Sequence, residues 1–127
     1  MKNLISILLV AIGLLNLFPV IGVISAHQLT GLYGISIVSA DLETLMRHRA
    51  VMLGLIGGFL LLAAFRPSLQ ILAAAIGLVS MSSFVILAYL AGDIGTEINN
   101  IVVADIVGSI VAALVLVLAV NRSRNAP

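Results

Sequence analysis

LMRHRAVMLGLIGGFLLLAAFRPSLQILAAAIGLVSMSSFVILAY, residues 45–89, consists of two apolar runs joined by a charged break that carries a proline. Each run is about 20 residues long, the length an α-helix needs to cross the hydrocarbon core of a bilayer. Between them stands Arg66-Pro67-Ser68. Proline cannot continue a helix, and it pushes the residue before it into extended backbone, so the chain must reverse there. Two helices joined by so short a turn run antiparallel. The stretch predicts a helical hairpin in a membrane.

The same pattern recurs on both sides of it. Residues 4–26 and 98–120 are apolar runs of similar length, so four spans are expected at about 4–26, 45–65, 69–90 and 98–120. Of the 127 residues, 62% are hydrophobic and 9% charged, far from the composition of a water-soluble domain. The fold class expected is all-α: a polytopic membrane protein with one domain over residues 1–127, an antiparallel four-transmembrane-helix bundle. A net charge of +1 leaves no basic surface for nucleic acid, and the lack of cysteine excludes disulfides, thiol redox chemistry and thiolate metal sites. Lys2 before an apolar run, with Ser25-Ala26 after it, also fits a secretory signal, but such signals have a shorter apolar core.

Within the first run, Gly13, Asn16, Pro19 and Gly22 predict a kink near Phe18-Pro19, where the ring removes a backbone hydrogen bond. Residues 27–40 are the one long connection. Gly31-Leu32-Tyr33-Gly34 breaks it, and the expectation is an outer loop on the membrane surface with Tyr33 at headgroup level. Asp41 is the expected N-cap of the second span's helix, with Glu43 complementing the helix dipole. Lys2, Arg66, Arg122 and Arg124 fall at one end of the bundle with no acid among them. Arg47 and Arg49 fall at the other with Asp41, Glu43, Asp93 and Glu97. Cytoplasmic flanks carry the excess of Lys and Arg, so the first end and both termini are expected in the cytoplasm.

Polar residues inside the spans converge at one height. At 1.5 Å of rise per residue, Arg47 and Arg49 lie roughly 24–27 Å from the cytoplasmic end, Asp105 roughly 22 Å, and Ser82 and Asn16 roughly 20 Å. With His48 these form a candidate ligand-binding layer toward the outer leaflet: Asn16, Arg47, His48, Arg49, Ser82 and Asp105. Helical spacing aligns Arg47 with Val51, Gly54 and Gly58, whose GxxxG spacing invites a close helix contact, and aligns Asp105 with Ser109 and Ala112 beside Gly108. A carboxylate this deep is unfavourable unless paired, so Asp105 is expected to meet Arg47, or Arg49 if the helix is rotated. Such a pair either serves a site or only fixes helix packing. His48 falls on the Met52, Leu55 and Phe59 face. No metal site is expected, since His27 and His48 lie on separate segments without ligand spacing, and no motif points to a particular cofactor.

The segments LYGI (32–35), LMRHRAVMLGLIGGFLLLAAFRPSLQ (45–70), GLVSMSSFVILAY (77–89) and VVADIVG (102–108) resemble a group of small bacterial four-helix membrane proteins similar to the wider DoxX-like family. The RHR, FRP and AD elements, here at residues 47–49, 65–67 and 104–105, are its more specific parts. The resemblance implies a four-helix bundle in the bacterial cytoplasmic membrane and assigns no catalytic residue. Some members of that group carry the label phosphopantetheine adenylyltransferase. That activity belongs to a soluble nucleotide-binding α/β fold with an HxGH motif, whereas the histidines here read His27-Gln-Leu-Thr and His48-Arg-Ala-Val, so the label is rejected.

Three functions are compatible with this reading. The simplest is a membrane protein that binds a small apolar or amphiphilic ligand, a lipid or a partner membrane protein through the outer polar layer. An intramembrane enzyme would need a second buried acid or base, and a transporter or channel would need a second copy to enclose a path. The expected partners are therefore the bilayer and one such ligand or subunit.

Overall fold

A computed structural model describes residues 2–125, with the side chain of Lys2 outside the described part. The chain forms α1 (Lys2–Leu17), α2 (Ala26–Tyr33), α3 (Ala40–Ala64), α4 (Gln70–Ala91) and α5 (Thr96–Arg124), with 3-10 turns at Phe18–Val23 and Pro67–Leu69. Four segments are long and apolar enough to cross a membrane: Asn3–Val23, Ala40–Ala64, Pro67–Ala91 and Thr96–Arg124. Each turns large apolar side chains outward, Ile7, Leu55, Val79 and Ile110 among them. In water such a surface would aggregate; facing lipid tails it is what a span requires. The protein is a multi-pass helical bundle.

Pro19 ends the regular α-helix two residues before itself, and the first span continues as 3-10 helix. Half of the region expected to be a surface loop, residues 27–33 of 27–40, instead belongs to the short helix α2, and residues 34–39 form the connection to α3. Ser25 starts it, its Oγ accepting from the Gln28 amide at 3.4 Å, and Gly34 stops it at φ 63°, a left-handed conformation that glycine adopts without strain. Gly31, expected as a breaker, is a helical residue within α2. Tyr33 is likewise not at a surface: it is 3% exposed and faces the bundle. The N-cap of α3 is Ser39, whose Oγ accepts from the Leu42 amide at 3.1 Å, and not Asp41, which lies one residue inside the helix. Asp41 and Glu43 then both sit in the first turn, where the dipole favours them.

Helix α1 packs mainly on α3, and α4 on α5; the two pairs join through α1 against α5 and α3 against α4. Contacts at the ends fix the directions. Ser6 Oγ at the start of α1 donates to Ala64 O at the end of α3 at 2.6 Å, and Arg122 near the end of α5 donates to Gln70 at the start of α4 at 2.8 Å. Neighbours run antiparallel.

The apolar core occupies the half of the bundle at the start of α1 and the end of α3, where Ile5, Leu9 and Ile12 meet Leu60, Ala73, Ala74, Ala112, Val115 and Ala119. Alanines let these backbones approach closely. Helices α1 and α3 approach closely at Gly13 and Gly57. A Cβ on Gly57 would stand 2.8 Å from Gly13 O. Gly58, expected to serve the GxxxG contact, has nothing within 4 Å of a Cβ built on it, and Gly54 meets Val20. The packing face of α3 therefore keeps Gly54, as expected, and takes Gly57 in place of Gly58.

Candidate functional site

With Gly54 common to both pairs, the exchange of Gly58 for Gly57 turns the packing face of α3 by about 50° relative to the expected setting, and the basic triplet is redistributed accordingly. Arg47 lies at the edge of the α1 contact. Its Nε donates to Val23 O at 2.8 Å and its Nη2 to Ile24 O at 3.4 Å, which satisfies carbonyls where the 3-10 segment ends. Its Nη1 pairs with Glu43 one turn back at 3.0 Å. This is the one ion pair among the described residues. With all three nitrogens engaged, Arg47 fastens the corner between α1 and α2 and does not meet Asp105.

Arg49 points the other way, into the bundle. Its guanidinium carbon lies 4.7 Å from the centre of the Phe84 ring and 5.3 Å from that of Tyr33, and Nη1 donates to Tyr33 Oη at 2.9 Å. A planar, weakly hydrated cation is suited to such a stack, and aromatic faces stabilise it electrostatically. Because Tyr33 Oη accepts from Arg49, its own hydrogen is free to be donated elsewhere. Burial pushes the Tyr33 phenol above its ordinary pKa; Arg49 acts in the opposite direction and Asp105 adds to the rise.

Asp105 shares an enclosed cavity of about 40 Å³ with Arg49, Tyr33, Asn16, Ser80 and Phe84. No cation stands within ion-pair distance of its carboxylate among the described residues. A water needs roughly 10–15 Å³ of such space and two or more polar partners, so the cavity is wide enough and polar enough for water to bridge the two charges. Asn16 is 5% exposed. Its amide nitrogen donates to Ile12 O at 2.9 Å and to Met81 Sδ at 3.7 Å, and its Oδ1 has no partner among the described residues.

The cavity adjoins a wider groove of about 600 Å³ that opens between the end of α1, α2 and the first half of α5. Tyr33 and Asp105 line both spaces, with Leu15, Pro19 and Ile101. The groove continues along Phe18 and Leu32 and along the α5 face that carries Ala104, Asn100 and Glu97. Glu97 lies against the backbone of Gly34, where a Cβ would clash with its carboxylate. This packing ties the end of α2 to the first turn of α5.

Of the six residues expected to form one polar layer, the fold gathers Asn16, Arg49 and Asp105. The other three stand apart. Arg47 is held at the corner, and His48 is exposed on the outward face with Met52 and Leu55. Ser82 returns its hydroxyl to Leu78 O at 2.6 Å within its own helix. The residues not foreseen are Tyr33, Ser80, Phe84, Asn100 and Glu97. Ser80 and Phe84 are one turn apart on α4, a spacing visible in the sequence once Ser82 is not taken as the inward serine. Against known proteins, the chain matches no family model, no curated protein and no solved structure.

Proposed function

We propose that this protein is a small integral membrane protein of the bacterial cytoplasmic membrane that binds a small amphiphilic molecule in the groove between α2 and α5. The ligand's polar end sits at the Asp105 and Tyr33 wall, and its apolar body lies along Phe18, Leu32 and Ile101. One observation carries this reading: an open, mostly apolar groove of about 600 Å³ ends on a buried polar cavity, the combination that holds amphiphiles. An intramembrane carboxylate with no ion-pair partner, placed at the junction of the two, supports it. The proposed orientation has both termini in the cytoplasm and the groove toward the outer leaflet. It rests on Lys2, Arg66, Arg122 and Arg124 in the flanks of one end against Arg47 and Arg49 at the other, where Asp41, Glu43, Asp93 and Glu97 also stand.

Native mass spectrometry of protein released from lipid nanodiscs tests the reading. A discrete retained mass is expected, and its occupancy is expected to fall in Leu32→Trp, which fills the groove without touching the polar cavity. A protein released bare, under conditions that keep annular lipid, would refute it.

A further inference from the structure

Resting on the groove reading above, the charges along the groove decide what kind of head it takes. The basic residues of this half of the bundle are already engaged: Arg47 with two carbonyls and Glu43, Arg49 with Tyr33 and the two rings, and neither lines the groove. The groove wall offers acceptors instead. Glu97 and Asp105 lie on one face of α5, eight residues apart, or about 12 Å along the helix, with Asn100 and Ala104 between them. Among the described residues neither carboxylate has an ion-pair partner. The free Asn16 Oδ1 adds a third acceptor in the adjoining cavity. Two aromatic residues, Phe18 and Tyr33, line the same groove, and aromatic faces are the surfaces that receive ammonium-type cations.

We infer that the groove's occupant is a lipophilic monocation, an amphiphile bearing an amine, quaternary ammonium or similarly diffuse positive head. Glu97, exposed in the first turn of α5, attracts the cation at the mouth. Asp105, half-buried and flanked by apolar residues, holds it at the inner end, where lower dielectric strengthens the attraction. The apolar remainder of the ligand replaces lipid along Phe18, Leu32 and Ile101. Arg49 shares only the inner cavity with Asp105 and does not line the groove, so an anionic head is disfavoured chiefly by Glu97 at the mouth.

Two ions of the same shape and opposite charge separate the possibilities. Radiolabelled tetraphenylphosphonium and tetraphenylborate are each titrated onto the full-length protein in phosphatidylcholine nanodiscs, with empty nanodiscs subtracted. Saturable, stoichiometric tetraphenylphosphonium binding is expected, with no saturable tetraphenylborate binding. Asp105→Asn is expected to weaken the cation at least tenfold and Glu97→Gln about threefold, and Glu97→Gln, lying on an exposed turn, keeps the test valid if Asp105→Asn fails to fold. Saturable borate binding without phosphonium binding would overturn the cation inference while leaving the groove as a ligand site. Binding of neither ion also overturns it, and native mass spectrometry then separates the two readings: a retained neutral molecule keeps the ligand site, whereas a bare protein removes both. Phosphonium binding unchanged in both variants would place the cation elsewhere and overturn the assignment.

Discussion

Replacing Gly57 and Gly58 by alanine, one at a time, should move stability in opposite directions although the residues are neighbours of identical type. A Cβ on Gly57 would lie 2.8 Å from Gly13 O, 2.8 Å from Leu17 Cγ and 3.0 Å from Leu17 N. Two of these atoms are backbone and cannot rotate away. Carbon contacts are most favourable near about 3.5–4.0 Å, so α1 and α3 must separate by roughly 0.7 Å or more at this contact. Overpacking of this kind costs about 1–3 kcal/mol. At Gly58 nothing lies within 4 Å, and exchanging glycine for alanine inside a helix stabilises by about 0.5–1 kcal/mol. Gly13→Ala should fall between them, because its nearest neighbour, 2.9 Å away, is the movable Leu61 Cδ2. The order of stability expected is Gly58→Ala, wild type, Gly13→Ala, Gly57→Ala, with the extremes separated by more than about tenfold in the unfolding constant. Titration with dodecyl sulfate in mixed micelles, followed by far-ultraviolet circular dichroism, measures it. Equal effects at residues 57 and 58, or a Gly57→Ala protein as stable as wild type, would refute this account of how α1 and α3 pack. The loss should also reach the site, since Asn16 lies one turn beyond Gly13.

Arg49→Lys keeps the charge but removes the planar stack on Phe84 and the directed bond to Tyr33, and should cost about 1–3 kcal/mol in the same titration; an unchanged midpoint would show that the charge alone matters. Tyr33 provides a pH test. Its phenol is raised above the ordinary 10.0 by burial, so its contribution to stability is complete below pH 10 and is lost as pH rises through the higher folded value. Unfolding midpoints measured from pH 9 upward should decline in wild type beyond the decline in Tyr33→Phe; parallel curves would contradict the burial argument. His48→Ala and Ser82→Ala, on the outward face and in an internal helix bond, should leave the retained mass in native spectra unchanged, and loss of that mass in either would return them to the site.

The spans were legible because length, apolar content and the Arg66-Pro67-Ser68 reversal each constrain the chain independently, and the bilayer leaves helices few alternatives. Helix phase is a weaker signal in such a chain. A span that is apolar on nearly every side has no strong amphipathic face to set its rotation, so the choice between Gly57 and Gly58 as the close contact rests on one residue, and that residue carries about 100°. Measured from Gly57, Arg47 and Arg49 stand about 80° to either side of the contact, whereas measured from Gly58 Arg47 would stand on the contact face and Arg49 opposite it. The triplet Arg47-His48-Arg49 therefore reads as a basic cluster in the sequence, while the fold assigns three separate tasks to it: a corner clamp, an outward side chain and an aromatic-stacked cation behind the groove wall. Helix α2 was hidden for a related reason. Its Gly31 and Gly34 look alike as breakers, but only Gly34 has the positive φ that ends a helix, and Glu97, sixty-three residues away in sequence, packs against it there. With Arg47 at the corner and Arg49 confined to the inner cavity beside Asp105, Glu97 and Asp105 are the charged residues that line the groove itself, which is why the electrostatic character of the site follows from the rotation of α3 more than from the count of charges near it.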